Sequence, residues 1–380
     1  MCRAGAPGHP RAGRSLGHHR GVVMVSQTRF LIENDEMTNR SMPTAQDVAK
    51  RAGVSTATVD RVLNARAGVR TVTAQRVVQA AGELRYLPLD ALHRVLRPKP
   101  LDLVFLLPKG TNPYLHMFAD QVRVSEAEFS PYNVRCRQVF FEGFNPRALV
   151  RALTVHGARA DAVAFMALDD PAVRRVAQRL SDQGRFVMTL ISDLGESERI
   201  AYVGLDNRAA GRTAGLLIGR FVGARRGEVA LIAGSLSYLA HQEREAGFLS
   251  VMEESFPNLR IVGLREGLDD ADNNYRQARS LLRQHPGLAG IYNIGGASEG
   301  VARALRETGR ERDVVFVGHG LTPDTRQQLI DGTLDAVITQ HPSAMIGNCV
   351  RIAANLRDGR PALEGVEPIR MGIFLRENLP

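Results

Sequence analysis

The sequence predicts an α/β protein in which a small three-helix domain with helix-turn-helix spacing precedes a two-lobed, doubly wound body. Thr44 to Asn64 hold two short amphipathic stretches separated by Gly53-Val54. From Leu101 onward, short apolar runs alternate with helical stretches, the pattern of βαβ units and a parallel sheet. The net charge of +9 over 380 residues sits at one end: residues 1–40 carry +3, residues 41–100 carry +6, and the remainder holds 33 basic and 33 acidic side chains. A basic segment on a neutral body is the footprint of a chain that places one end on a polyanion.

Composition narrows the class further. Hydrophobic residues make up 44% and charged residues 23%, and no run of 18 apolar residues exists to cross a bilayer. Cys2, Cys136 and Cys349 lie far apart, which argues against a disulfide scaffold and fits a reducing cytoplasm. Residues 1–42 are rich in Gly, Arg, His and Pro and show no apolar periodicity, so a disordered tail is expected there. Their charged start is not followed by an apolar stretch with a small-residue cleavage site, so export is not supported.

Residues 43–87 read as three helices. Thr44 and Asp47 resemble a capping box, and Ala45, Val48, Ala49 and Ala52 form one stripe. Gly53 ends this helix. Ser55 caps a second, with Val59, Val62 and Leu63 inward and Thr56, Ala57, Asp60, Arg61 and Asn64 outward. A third is expected to start at the cap Thr73 and to pack through Val77, Val78, Ala81 and Leu84. Residues 88–100 form a hinge or linker, and 101–380 the body. Nine strands are expected there, near 101–107, 134–141, 162–165, 186–190, 229–232, 260–264, 289–293, 314–317 and 336–339. The intervening helices are expected near 114–129, 208–222, 243–254, 274–284, 298–307 and 343–357. The glycine-flanked stretch from Gly223 to Gly227 is the expected boundary between two similar lobes.

The segment from Thr44 to Asn64, in which Asp47-Val-Ala precedes Ala52-Gly-Val-Ser and Thr58-Val-Asp-Arg-Val-Leu-Asn64, resembles the DNA-binding headpiece of the LacI/GalR family of bacterial regulators. The family usually has serine where this chain has Asp60. The resemblance implies that Thr56, Ala57 and Arg61 read bases, with Arg61 suited to guanine and the small side chains to a thymine methyl. It places Thr44, Ser55, Asn64 and Thr73 on phosphates, and Arg66, Arg70 and Arg76 could add charge contacts. Asp60 would repel phosphates unless it pairs with a neighbouring arginine or points along the helix. In such regulators a hinge helix inserts a leucine into the minor groove; in Pro88 to Leu96, the candidate wedge is Leu96.

The body resembles the type I periplasmic-binding fold joined to these headpieces, over about residues 101–376. Asn112-Pro113-Tyr114 is similar to the turn that lines the sugar pocket, Asp206-Asn207 to a recurrent helix start, Arg244 to the pocket arginine, and Asn293 and Gln340 to pocket amides. Asp193 lies where a carboxylate often meets sugar hydroxyls. His319 completes the expected ligand set, although His319-Gly320 and Ile294 stand where the family often has aspartates. An arginine, two amides and an aromatic wall suit a polyhydroxylated ligand. The expected partners are therefore an operator in double-stranded DNA, a small sugar or polyol, and a second copy of the chain.

No metal or cofactor is expected: His18, His19 and His241 lack partners at ligand spacing and read as solvated, and Gly295-Gly296 lacks a Walker lysine. No nucleophile, base and orienter set emerges, so catalysis is not expected. The competing reading, a solute receptor of a sugar transporter, would use the same two lobes but has no use for a headpiece.

Overall fold

The computed structural model describes residues 42–64, 66, 68–87, 100–195 and 199–380. The expected tail, the hinge and its Leu96 lie outside them, Met42 and Pro100 excepted. Helices α1 (Ala45–Ala52), α2 (Thr56–Leu63) and α3 (Thr71–Glu83) form the headpiece. Thr44 and Asp47 close the capping box at α1, and Gly53 ends it in the left-handed conformation, φ 63°, with its N–H donating to the Ala49 and Lys50 carbonyls. Ser55 caps α2 through the Thr58 N–H. Val48, Val59, Val62, Val77, Val78 and four alanines fill the core between the helices.

Helix α3 differs from its expected start. The chain turns helical after Arg70, which is extended and offers no side-chain cap, so Thr73 is the third residue of the helix and not its cap. With threonines at 71 and 73, composition alone does not choose between the two starts.

The body holds two sheets. In the first, β1 (Leu101–Lys109), β2 (Val134–Glu142), β3 (Ala162–Phe165), β4 (Phe186–Leu190) and β5 (Ala201–Val203) run parallel in the order β2-β1-β3-β4-β5. Around them lie α4 (Pro113–Val124), the single turn α5 (Glu126–Phe129), α6 (Pro146–Ala152) and α7 (Pro171–Asp182).

The second sheet has the order β11-β10-β9-β8-β6-β7, built from β6 (Gly227–Ala233), β7 (Leu259–Glu266), β8 (Leu288–Asn293), β9 (Val315–His319), β10 (Ala336–Thr339) and β11 (Gly372–Phe374), with only β11 antiparallel. Its helices are α8 (Asn207–Val222), α9 (Leu239–Ser255), α10 (Ala271–Gln284), α11 (Ser298–Glu307) and α12 (Pro323–Asp331). All nine expected strands are present. The two additional strands, β5 and β11, are three residues each, too short to show a pattern.

The boundary between the lobes is not at Gly223–Gly227. Ala210, Ala214, Ile218 and Val222 of α8 pack into the core of the second sheet, so the chain crosses at 204–206, directly after β5. The glycines near 223 only end α8. Helix α13 (Pro342–Arg357) then returns to the first lobe, where Met345, Ile346, Cys349, Val350 and Ile352 to Ala354 join the core around Phe105 and Phe118. The last strand, β11, goes back to the second. Three crossings among the described residues hinge the lobes.

Candidate functional site

The outer face of α2 is the first candidate surface. Thr56, Ala57, Asp60, Arg61 and Asn64 are all exposed, and Val59 and Val62 hold the opposite face in the core. Arg61, Arg70 and Arg76 have no ion pair among the described residues, so their charge is available to a polyanion. Ser55 and Thr44 spend their hydroxyls on caps: Ser55 Oγ accepts from the Thr58 N–H at 3.2 Å, and Thr44 Oγ1 donates to Asp47 Oδ2 at 2.7 Å.

Asp60 takes the first of its two expected courses. Its Oδ2 pairs with Arg66 Nη1 at 3.0 Å, and its Oδ1 accepts from Asn64 Nδ2 at 2.7 Å. The pairing removes most of the repulsion a bare carboxylate would exert on phosphates. It also occupies Asn64, one of the expected phosphate contacts. Thr73 stands half-buried inside α3.

The second candidate site is the cleft between the lobes. Ligands in open α/β sheets bind beyond the carboxyl ends of the strands, and the segments following β1, β3, β7, β8, β9 and β10 meet there around a cavity of about 50 Å³. Asn112, Tyr114, Arg244, His319 and Gln340 all line it, so five of the seven expected ligand residues converge although they span more than half the chain.

Each is held by its own partners. Asn112 caps α4 by accepting from the Tyr114 N–H at 3.1 Å, and Tyr114 Oη donates to the Gln340 carbonyl at 3.0 Å. Gln340 Oε1 accepts from the Leu205 N–H at 2.9 Å, which ties one crossing segment to the other. Arg244 is buried; its Nε donates to Asn207 Oδ1 at 2.8 Å and its Nη1 to the Ile294 carbonyl at 2.9 Å. Nη2 has no hydrogen-bond partner among the described residues. Glycines permit this placement, because a methyl group at Gly211 of α8 would collide with the Arg244 carbonyl of α9.

His319 Nε2 lies 2.7 Å from Tyr292 Oη. Burial first, then the charge of Arg244, holds its pKa well below the ordinary histidine value, so the ring is neutral.

Two expected ligand residues do not line the cavity. Asp193 accepts from Thr189 Oγ1 at 2.6 Å and the Leu194 N–H at 2.8 Å, and it forms a buried ion pair with Arg199. Asn293 donates to the Gly296 carbonyl at 2.8 Å and Ser298 Oγ at 3.0 Å, which braces the turn behind the cavity wall.

Two titratable lining residues, His241 and Asp269, were not expected. His241 is not solvated: it is 3% exposed, and burial pushes its pKa down to about 4. It precedes Arg244 by three residues on α9, so helical spacing places both on one face. Asp269, on the loop after β7, is 7% exposed and supplies the carboxylate that Ile294 and Gly320 lack. The lobes also touch directly: Asp169 N–H donates to the Ser237 carbonyl at 3.1 Å, and the Phe144 and Tyr238 rings meet edge-on at 5.4 Å.

A helix-turn-helix with free cationic side chains and a polar cleft between two hinged lobes define a ligand-responsive, DNA-binding transcription regulator. Comparison with known proteins agrees. Residues 44–88 match the bacterial regulatory proteins of the lacI family, and residues 103–361 match the periplasmic binding protein domain. The repressor PurR of Serratia proteamaculans is 30% identical over 249 residues, 64% of this chain and 69% of that protein. The D-allose-binding periplasmic protein of Escherichia coli is 26% identical over 144 residues, 38% of this chain and 46% of that protein, so this chain spans less than half of that relative.

Among solved structures, a glucose-galactose binding protein of Geobacillus stearothermophilus superposes with a TM-score of 0.66 at 24% identity, over 74% of this chain and 99% of that one. A solute-binding protein of Burkholderia graminis in complex with D-arabinose gives 0.65 at 24% identity, over 73% and 96%. The chain belongs to the lacI family of bacterial regulatory proteins, with a periplasmic-binding-protein domain as its ligand-binding body.

Proposed function

We propose that the protein is a repressor that binds a near-palindromic operator as a homodimer and changes its grip on that operator when a small sugar or polyol fills the cleft. The convergence of Arg244, Asn112 and Gln340 on one cavity, in a chain that also carries the α2 face, supports this reading. Arg244 offers its unpartnered Nη2 to a hydroxyl, Gln340 and Asn112 add amide groups, and Leu115, Met166, Ile191, Leu205 and Ile338 supply an apolar wall. The proteins that superpose on the body bind glucose-galactose and D-arabinose, which favours the same ligand class. The 64 N-terminal residues disfavour a transporter's solute receptor, because a headpiece serves no purpose there; the same argument favours the cytoplasm, beside the chromosome.

The mechanism follows from differential affinity. A ligand that bridges both lobes stabilises one arrangement of the hinge over another by the difference in its binding free energy to the two. By linkage, the DNA-bound state shifts the ligand's affinity by the same factor. The segment between α3 and β1 carries the change from body to headpiece.

Titration of a fluorescent operator in the presence of pentoses, hexoses and polyols tests the reading. Arg244→Ala is expected to retain operator binding and to lose the ligand response, because truncation strands the Asn207 and Ile294 acceptors and removes the ligand's donor. An unchanged ligand response in this variant, or a response to purines or amino acids alone, would overturn it.

A further inference from the structure

Asp269 is built into the cleft at a structural cost. Its backbone is left-handed, φ 51°, as is that of Leu268 before it, φ 56°, and two successive non-glycine residues in that region persist only where the surroundings hold them. The Gly267 N–H donates to the Ala233 carbonyl at 2.8 Å and the Leu268 N–H to the Gly234 carbonyl at 2.9 Å. Gly234 and Gly295 make room for the side chain, since a methyl group at either would collide with the Asp269 carboxylate.

The carboxylate spans the cleft. Oδ1 accepts from the Gly296 N–H of the second lobe at 2.7 Å, and Oδ2 accepts from Asn112 Nδ2 of the first at 3.0 Å. Thr111 Oγ1, also of the first lobe, donates to the Asp269 carbonyl at 2.9 Å. Among the described residues that line the cavity, Asp269 is the one carboxylate and Arg244 the one permanent cation. Each is held by neutral groups, so neither is cancelled by an ion pair of its own, while burial keeps His241 and His319 uncharged at neutral pH.

We propose that Asp269 is the specificity-determining residue of the cleft: its carboxylate accepts from the hydroxyls of an uncharged sugar or polyol, repels sugar acids and sugar phosphates, and couples that choice to lobe closure through Thr111 and Asn112. The inference rests on the sugar or polyol reading above. A fixed anion in a site shielded from water discriminates strongly against a second anion. Removing its charge alone leaves Arg244 uncompensated and turns the site toward anions.

The test is calorimetry on the full chain with D-arabinose, D-ribose, D-glucose and ribitol, beside D-arabinonate, D-ribonate, D-gluconate and the corresponding sugar phosphates. Wild type, Asp269→Asn and Asp269→Ser are compared, with melting temperatures to establish folding; the serine variant serves if the near-isosteric amide does not fold. The wild type is expected to prefer the uncharged partner of a pair. In Asp269→Asn the ratio of affinities for the uncharged ligand over its acid is expected to fall at least tenfold, a change that a merely structural role would not produce. An unchanged ratio, or a wild type that binds the acid as tightly as the sugar, overturns the role of Asp269 and leaves the ligand class standing. Failure of every sugar and polyol to bind the wild type overturns the ligand class and this inference with it.

Discussion

Arg61 and Asp60 are adjacent on α2, yet the structure separates them by function. Asp60 is pinned by Asn64 and Arg66, while Arg61 is exposed and without an ionic partner among the described residues. Arg61→Ala is therefore expected to weaken operator binding by about 1–3 kcal/mol and binding to random DNA much less, because a bidentate base contact is specific where a phosphate contact is not. Titrations of both DNAs at one salt concentration check this, and equal losses would sink the base-reading role. At this scale Arg244, Gln340, Asn112, Tyr114 and His319 are legible through the resemblance to the family's pocket residues, and the structure brings them to one cavity at strand ends and helix starts. Asp269 is not, since a Leu-Asp-Asp turn after a strand looks like any other loop until Asn112 arrives from the other lobe. His241 reads as solvated for a related reason: its neighbours in space, Ser235 and Asp269, form no spacing that a sequence displays.

At the scale of elements, the headpiece depends on one turn. Gly53 sits at φ 63° with open space around its Cα, so replacing it creates no collision and the cost is conformational. Gly53→Ala is expected to destabilise the headpiece by about 1–2 kcal/mol, the usual penalty for an L-residue in that region. Native-state hydrogen exchange would show this as lost protection at Val48 and Val59 with the body unchanged; equal losses in both parts would contradict it. Elements with a clear apolar face, such as α1, β1 and α11, are readable from the sequence. The ones that escape are three-residue strands, and α6, α7 and α12, each of which opens with a proline; at α4 and α13, which open the same way, the expected helix starts one residue late, after the proline.

For the whole molecule, the buried histidines set a pH dependence. His241 has a folded-state pKa of about 4 against 6.5 when unfolded, so between these values the unfolded chain binds more protons and stability falls as pH falls. His319, also depressed, acts in the same direction. Lowering pH from 7.5 to 5 is expected to cost about 2 kcal/mol through His241 alone, since each tenfold difference in proton affinity between the two states is worth about 1.4 kcal/mol. Urea titrations at the two pH values measure it. His241→Gln should reduce that difference, and an undiminished difference would assign the effect elsewhere. The two-lobed architecture is legible from the alternation of strands and helices, but the position of the crossing is not. Gly223 to Gly227 looks like a seam because glycines punctuate a chain, whereas the true crossing at 204–206 is marked only by which core α8 fills.

The return of α13 to the first lobe bears on how the protein is made. The strands of that lobe are complete once Val203 has emerged from the ribosome, yet Met345, Ile346, Cys349 and Val350, which seal its core, come last among its helices. At about 5–20 residues per second, the nascent lobe stands uncovered for on the order of ten seconds in every round of translation. During that interval the apolar surface awaiting α13 is open to chaperones and to neighbouring nascent chains. Synthesis speed over the second lobe is thus expected to govern the yield of the first.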